Sequence, residues 1–98
     1  YFNFIMQVSP ECDCYQCNDA PIVPDIGILA SLDPVAIDQC SADMVNEAVG
    51  ITGSKLSSSY KKGTDKFKTI YPEIDWSVQL EYGEKLGIGS RKYELVKI

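Results

Sequence analysis

Only one stretch of this chain keeps a hydrophobic period long enough for a full-length helix, and glycine and proline cut the rest into short pieces. Asp33-Pro34 opens that stretch. The aspartate accepts the free N–H groups of a first helical turn, and proline at the first helical position gives up an N–H that has no partner there. Ile37, Cys40, Met44 and Ala48 recur at helical spacing as a buried stripe, with Asp38, Asp43 and Glu47 facing water. The helix runs to about Ala48, and Gly50 ends it.

The pieces on either side are shorter. Tyr1 to Val8, rich in aromatic and branched residues, predicts a buried strand that stops at Ser9-Pro10. A polar loop follows from Pro10 to Asp25, punctuated by Pro21 and Pro24. It lacks the side chains to bury itself, so something else is expected to order it. Ile26 to Ala30 is a second short strand. Gly50 to Gly63, rich in glycine, serine and lysine, predicts a mobile surface loop. Thr64 or Asp65 caps a short helix through Phe67, Ile70 and Tyr71, which Pro72 stops. Asp75 caps a third helix over Trp76 to Leu86, with Trp76, Leu80 and Gly83 inward and Glu81 paired with Lys85 outside. Gly87 closes it, and Ser90 to Ile98 predicts a last strand. There is no internal repeat. The order implies one α+β or α/β domain over residues 1–98, a small sheet of about three strands packed with about three helices.

Charge and sulfur are both segregated. Residues 1–50 carry eight acids and no Lys or Arg, while residues 51–98 hold all nine bases and six acids, for an overall −5. Few bases and a negative sum argue against nucleic acid. No apolar run reaches the ~20 residues of a membrane helix. The acidic half either forms one side of a polarised surface or meets a cation, a metal centre or a basic partner. All four cysteines lie in that half, at Cys12, Cys14, Cys17 and Cys40. An even count allows two disulfides in any of three connectivities. The chain shows no signal-peptide pattern and no N-x-S/T site. A reducing cytoplasm is the expectation, where clustered thiols bind metal or do redox chemistry more often than they crosslink. The opening Tyr1-Phe2-Asn3, with neither Met nor linker, leads us to expect a piece of a longer protein.

Three thiols in Cys12-Asp13-Cys14-Tyr15-Gln16-Cys17 have the softness and proximity to hold Zn²⁺ or an iron–sulfur cluster, with Cys40 as a fourth ligand or a core residue. Two alternatives stay open: a redox pair at Cys14 and Cys17, and unligated thiols. The spacing matches neither the bacterial nor the plant-type ferredoxin run. Asp19 and Asp25 are candidate hard-oxygen ligands or turn residues. Ser31 and Asp33, at a strand-to-helix junction, mark an anion site or simply a cap. Gly50 to Lys55 looks superficially like a phosphate loop but follows a helix and lacks the glycine spacing. Lys61, Lys62, Lys66 and Lys68 form a basic patch on a solvated face. With no histidine, neither Ser-His nor Cys-His catalysis can be built from this chain, and no catalytic residue is assigned.

The run Pro21-Ile22-Val23-Pro24-Asp25-Ile26-Gly27-Ile28-Leu29-Ala30-Ser31, continued by Asp33 to Asp38, resembles the C-terminal part of the domain of unknown function 362 (DUF362) family. Cys12-Asp13-Cys14 and Asp75 to Tyr82 look like that family as well, so the resemblance spans nearly the whole chain. It implies a longer, mostly prokaryotic cytoplasmic protein, often carrying ferredoxin-type 4Fe–4S motifs and described loosely as iron–sulfur. Those ferredoxin runs are absent here. The resulting expectation is the C-terminal region of an iron–sulfur-associated redox protein, with a metal or cluster at Cys12, Cys14, Cys17 and Cys40. Its partners would be the missing N-terminal part of the same protein and an electron-transfer protein. Its rivals are a structural half-domain that completes an interface and a thiol–disulfide switch.

Overall fold

In the computed structural model, which describes residues 1–98, two strands and three helices follow one another along the chain. Strand β1 (Phe2–Ile5) pairs antiparallel with β2 (Gly27–Ala30), Phe2 opposite Ala30 and Phe4 opposite Ile28. Helices α1 (Pro34–Glu47), α2 (Lys66–Ile70) and α3 (Val78–Lys85) complete the order. The antiparallel pairing and the separate helices make this an α+β fold with a two-stranded sheet. The expected third strand does not form. Ser90 to Ile98 runs as irregular chain past α1 and the free edge of β2, with Leu95 across a cleft from Leu29.

Helix α1 starts where Asp33-Pro34 predicts. The Asp33 carboxylate accepts from Val35 N and Ala36 N at 2.9 Å each. Its buried residues are Val35, Ala36, Ile37, Gln39, Cys40 and Val45, an arc wider than the predicted stripe, of which Met44 and Ala48 are only half-buried. The reason is that α1 is packed from two sides. The sheet lies against one side, and α3 comes so close to the other that a Cβ at Gly83 would sit 3.0 Å from Val35 Cγ2. Asp65 caps α2 by accepting from Lys68 N, as expected. The third helix begins later than expected: Asp75 takes the N–H and hydroxyl of Ser77, and regular helix starts at Val78. Gly87 leaves it with φ +76°. Glu81 and Lys85 form no ion pair; the one ion pair in the molecule is Lys55–Glu11.

Loops build much of the core. Its central cluster is Ile5, Ile22, Val23, Val45 and Leu56, and only Ile5 and Val45 belong to regular elements. Ile22 and Val23, between two prolines, turn inward beneath β1. Their segment is fixed by Ile22 N to Val8 O at 2.9 Å and Ile51 N to Ile22 O at 2.8 Å. The 10–25 loop thus buries part of itself. Leu56 does the same for the 50–63 segment, which is pinned where Gly50 N meets Tyr60 O at 2.7 Å. Gly50 allows that approach, since a Cβ there would stand 2.8 Å from Leu56.

Lys66 overturns the expected basic patch. It is 0% exposed, and its ammonium donates to Asn46 O at 2.8 Å and Lys61 O at 3.3 Å near the end of α1. Burial pulls its pKa below the ordinary lysine value. A cation facing the last carbonyls of a helix is well placed electrostatically.

Leu56→Ala should cost about 2–5 kcal/mol, because it empties a site closed on every side. Urea unfolding followed by far-UV circular dichroism measures it, and a loss under ~1 kcal/mol would mean the loop is not part of the core.

Candidate functional site

The cysteine loop is closed at its base by one amide side chain. Asn18 Oδ1 accepts from Glu11 N at 3.2 Å and Asn18 Nδ2 donates to Glu11 O at 3.1 Å, so the side chain bonds residue 11 as a neighbouring strand would. Asn18 Nδ2 also reaches Ser9 Oγ at 3.0 Å. The Glu11 carboxylate ties the base to the far side of the molecule, accepting from Lys55 Nζ at 2.8 Å and from the Tyr71 hydroxyl. Those two partners hold the Glu11 carboxyl below its usual range. Between the ties, Cys12 and Tyr15 close a turn, Tyr15 N to Cys12 O at 2.8 Å.

On this frame Cys12, Cys14 and Cys17 are exposed, and no cysteine is in a disulfide. Cys14 N–H donates to Cys12 Sγ at 3.3 Å. Hydrogen bonding from Cys14 lowers the Cys12 pKa, and the shared bond raises that of Cys14. Cys40 does not join them. It is buried on α1, between β2 and the Tyr93–Leu95 segment, where burial raises its pKa. No three His, Cys, Asp or Glu side chains are gathered in a disposition to hold a metal ion.

The oxygen candidates separate in the same way. Asp19 accepts from Ala20 N at 2.7 Å and Asp25 from Gln7 N at 2.8 Å, where Gln7 turns the chain out of β1 with φ 51°. Both are turn residues. Ser31 Oγ accepts from Asp33 N at 3.0 Å. Asp33 itself fills the head of α1 and also takes Ser90 N at 2.9 Å. The N–H groups of Ala36, Ser90 and Val35 hold its carboxyl below the usual range. The anion position at this helix is occupied by the chain's own carboxylate.

A polar chain of contacts fixes the C-terminal segment on α1. Arg91 Nε donates to Gln39 Oε1 at 2.7 Å, Gln39 Nε2 to Asp43 Oδ1 at 2.9 Å, and Tyr93 Oη to Asp43 Oδ2 at 2.8 Å. Burial and the Asp43 carboxylate push the Tyr93 phenol above its ordinary value. Asp43, expected in water, is the acceptor that holds this segment.

The feature that sequence reasoning missed is the sheet's outer face. Side chains alternate across a strand. Asn3, Ile5 and Leu29 point toward the helices, and Asn3 Nδ2 donates to Asp38 Oδ1 and Ser41 Oγ at 2.9 Å each. Phe2, Phe4, Ile28 and Ala30 take the opposite face. Phe2 is 71% exposed, Phe4 66% and Ile28 59%. A strand read as buried is therefore buried on one side only. Its run of apolar residues carried the signal: a strand with one wet face alternates polar with apolar, whereas a continuous run calls for two covered faces.

Residues 1–43 match the model of the family described as domain of unknown function (DUF362). The sheet-bearing part of the chain is thus similar to that family. The DUF362 match takes in both strands, the cysteine loop and most of α1, and ends before Asp75 to Tyr82, where a likeness was also read. No curated protein and no solved structure matches the chain. No helix is long and apolar enough to cross a membrane.

Because Asp33 is ionised more readily in the folded chain, its contribution is complete above its unfolded pKa of ~3.9 and is lost as pH falls through the lower folded value. Asp33→Ala should lower the urea midpoint at neutral pH, and the gap from wild type should narrow below about pH 4. A gap that stays constant down to strong acid would show that the charge of Asp33 plays no part.

Proposed function

We propose that this DUF362-bearing chain is an interface module, a structural half-domain whose open sheet face is covered by another polypeptide layer. The observation that carries this reading is the row of Phe2, Phe4, Ile28 and Ala30 on the uncovered side of a sheet of only two strands. A two-stranded ribbon is marginal in water unless its faces are packed. Here one face rests on α1 and the other is apolar and bare. Such contiguous exposed patches mark interaction surfaces more often than chance placement does. The wider DUF362 expectation of a longer protein supplies a natural source for the covering layer.

The double variant Phe2→Ser/Phe4→Ser should keep its far-UV spectrum and lose most of the fluorescence enhancement of anilinonaphthalene sulfonate that the wild type gives when natively folded. Wild-type protein that binds no dye, or a variant that binds it equally, would remove the basis of this reading.

A second reading rests on the 12–17 loop. Three exposed thiols share a loop of six residues that is anchored at Glu11 and Asn18, which suits a soft ion, an iron–sulfur cluster or a disulfide switch at Cys14 and Cys17. As placed, the thiols do not fit a closed metal site. Only Cys12 and Cys14 touch, and Cys40 is walled off, so binding requires the loop to turn its sulfurs inward without moving its base. On this reading, protein reconstituted without oxygen retains iron and sulfide, or zinc, in amounts that fall with Cys12→Ser and Cys14→Ser and not with Cys40→Ser. Metal content indifferent to all three variants defeats it.

A further inference from the structure

Resting on the interface reading, we infer that the free edge of β1 accepts an extended polypeptide strand that is apolar on one face and carries a lysine or arginine. Three features converge there. The first is backbone register. Tyr1 and Ser31 exchange both of their bonds, Ser31 N to Tyr1 O at 3.0 Å and the Tyr1 amino group to Ser31 O at 2.8 Å. Paired residues alternate along an antiparallel ladder, so Asn3 and Ile5 also face β2, while the N–H and C=O groups of Phe2 and Phe4 point away from it. Those groups form a short unpaired edge, which is a template for another strand.

The second feature is the space beside that edge. A groove of about 430 Å³ runs along β1, floored by Ala42 and Val45 of α1 and walled by Phe67, Trp76 and Leu80. Its volume lies within the roughly 300–1,000 Å³ of sites that enclose ligand groups. The wall is preset. Trp76 Nε1 donates to Asp65 Oδ2 at 2.9 Å, and the Trp76 ring packs against Phe67 with centroids 5.6 Å apart. A strand laid on Phe2 and Phe4 would drop alternate side chains into this groove and turn the others onto the bare sheet face.

The third feature is charge. Asp38 is the only charged residue lining the groove. One of its oxygens is engaged by Asn3, and the other is left to a cation on the incoming chain. A second folded copy suits the position less well than a strand. Paired across a two-fold axis, it would bring its own α1 into the layer that Phe67, Trp76 and Leu80 already fill.

Trp76 is the sole tryptophan, so its emission reports on the groove. The probe is a short acetylated peptide of alternating valine and threonine with a lysine at each end, titrated into the full chain. The expected result is a saturable blue shift, weakened by Asp38→Asn and by Ala42→Leu, which fills the floor, with the circular dichroism spectrum of each variant unchanged. Antiparallel addition with valines in the groove places the threonine amides against Phe2 and Phe4. N-methylation at the threonines should therefore weaken binding by about tenfold or more, and N-methylation at the valines should not. Equal sensitivity to both sets, or no saturable shift, overturns the strand. If anilinonaphthalene sulfonate still reports the Phe2/Phe4 face in that case, the interface reading survives without the strand; loss of both ends both.

Discussion

The Asp33 carboxylate joins the two halves of this chain at the head of its longest helix. Asp33 receives two N–H groups of the first turn of α1 and a third from Ser90, which lies far along the sequence. A Cβ at Gly89 would collide with it, so the turn after α3 is shaped around that carboxylate. The contact fixes where α1 begins, how α3 returns to it, and where the C-terminal segment sets out toward Gln39, Asp43 and the pocket over Cys40. It also fills the head of α1, where an external anion would otherwise be drawn in.

With α1 oriented, the remaining problem is a shortage of apolar surface in regular elements. Two four-residue strands and three helices leave gaps, and Ile22, Val23 and Leu56 fill them from loops. This is a common answer for a small domain, where little surface can be buried. It has a price in function. The loop that gives Ile22 and Val23 to the core must carry its first part over the surface, and that is the part bearing Cys12, Cys14 and Cys17. One segment thus serves as a core plug at one end and an exposed thiol loop at the other, with Asn18 and Glu11 as the hinge between the two roles.

The same shortage explains the sheet. Its inner face has α1 beneath it, bridged by Asn3 to Asp38 and Ser41, but no element returns over its outer face. The C-terminal segment has the right composition for a third strand. Instead Tyr93 and Arg91 are taken by Asp43 and Gln39 on α1, which holds the backbone off the edge of β2. Side-chain bonding outweighs strand propensity when the ladder would gain only one marginal member.

Much of this was legible in the chain itself. Asp33-Pro34, Asp65 and Gly87 mark helix ends through local chemistry, because a cap is satisfied by residues one to three positions away. The order of strand, helix and turn signals narrows the class to α+β or α/β, which the antiparallel pairing then decides, and the absence of histidine limits which sites can exist. What needed the tertiary structure were facts set by distant partners. Lys66 looks like a surface lysine until Asn46 and Lys61 carbonyls enclose it. Cys40 stays open between core residue and fourth ligand until β2 and Tyr93 cover it, and Phe2 and Phe4 look buried until nothing is found above them. Local bonding is written in neighbouring residues, whereas burial depends on what the rest of the chain brings near, and a single sequence carries no record of that.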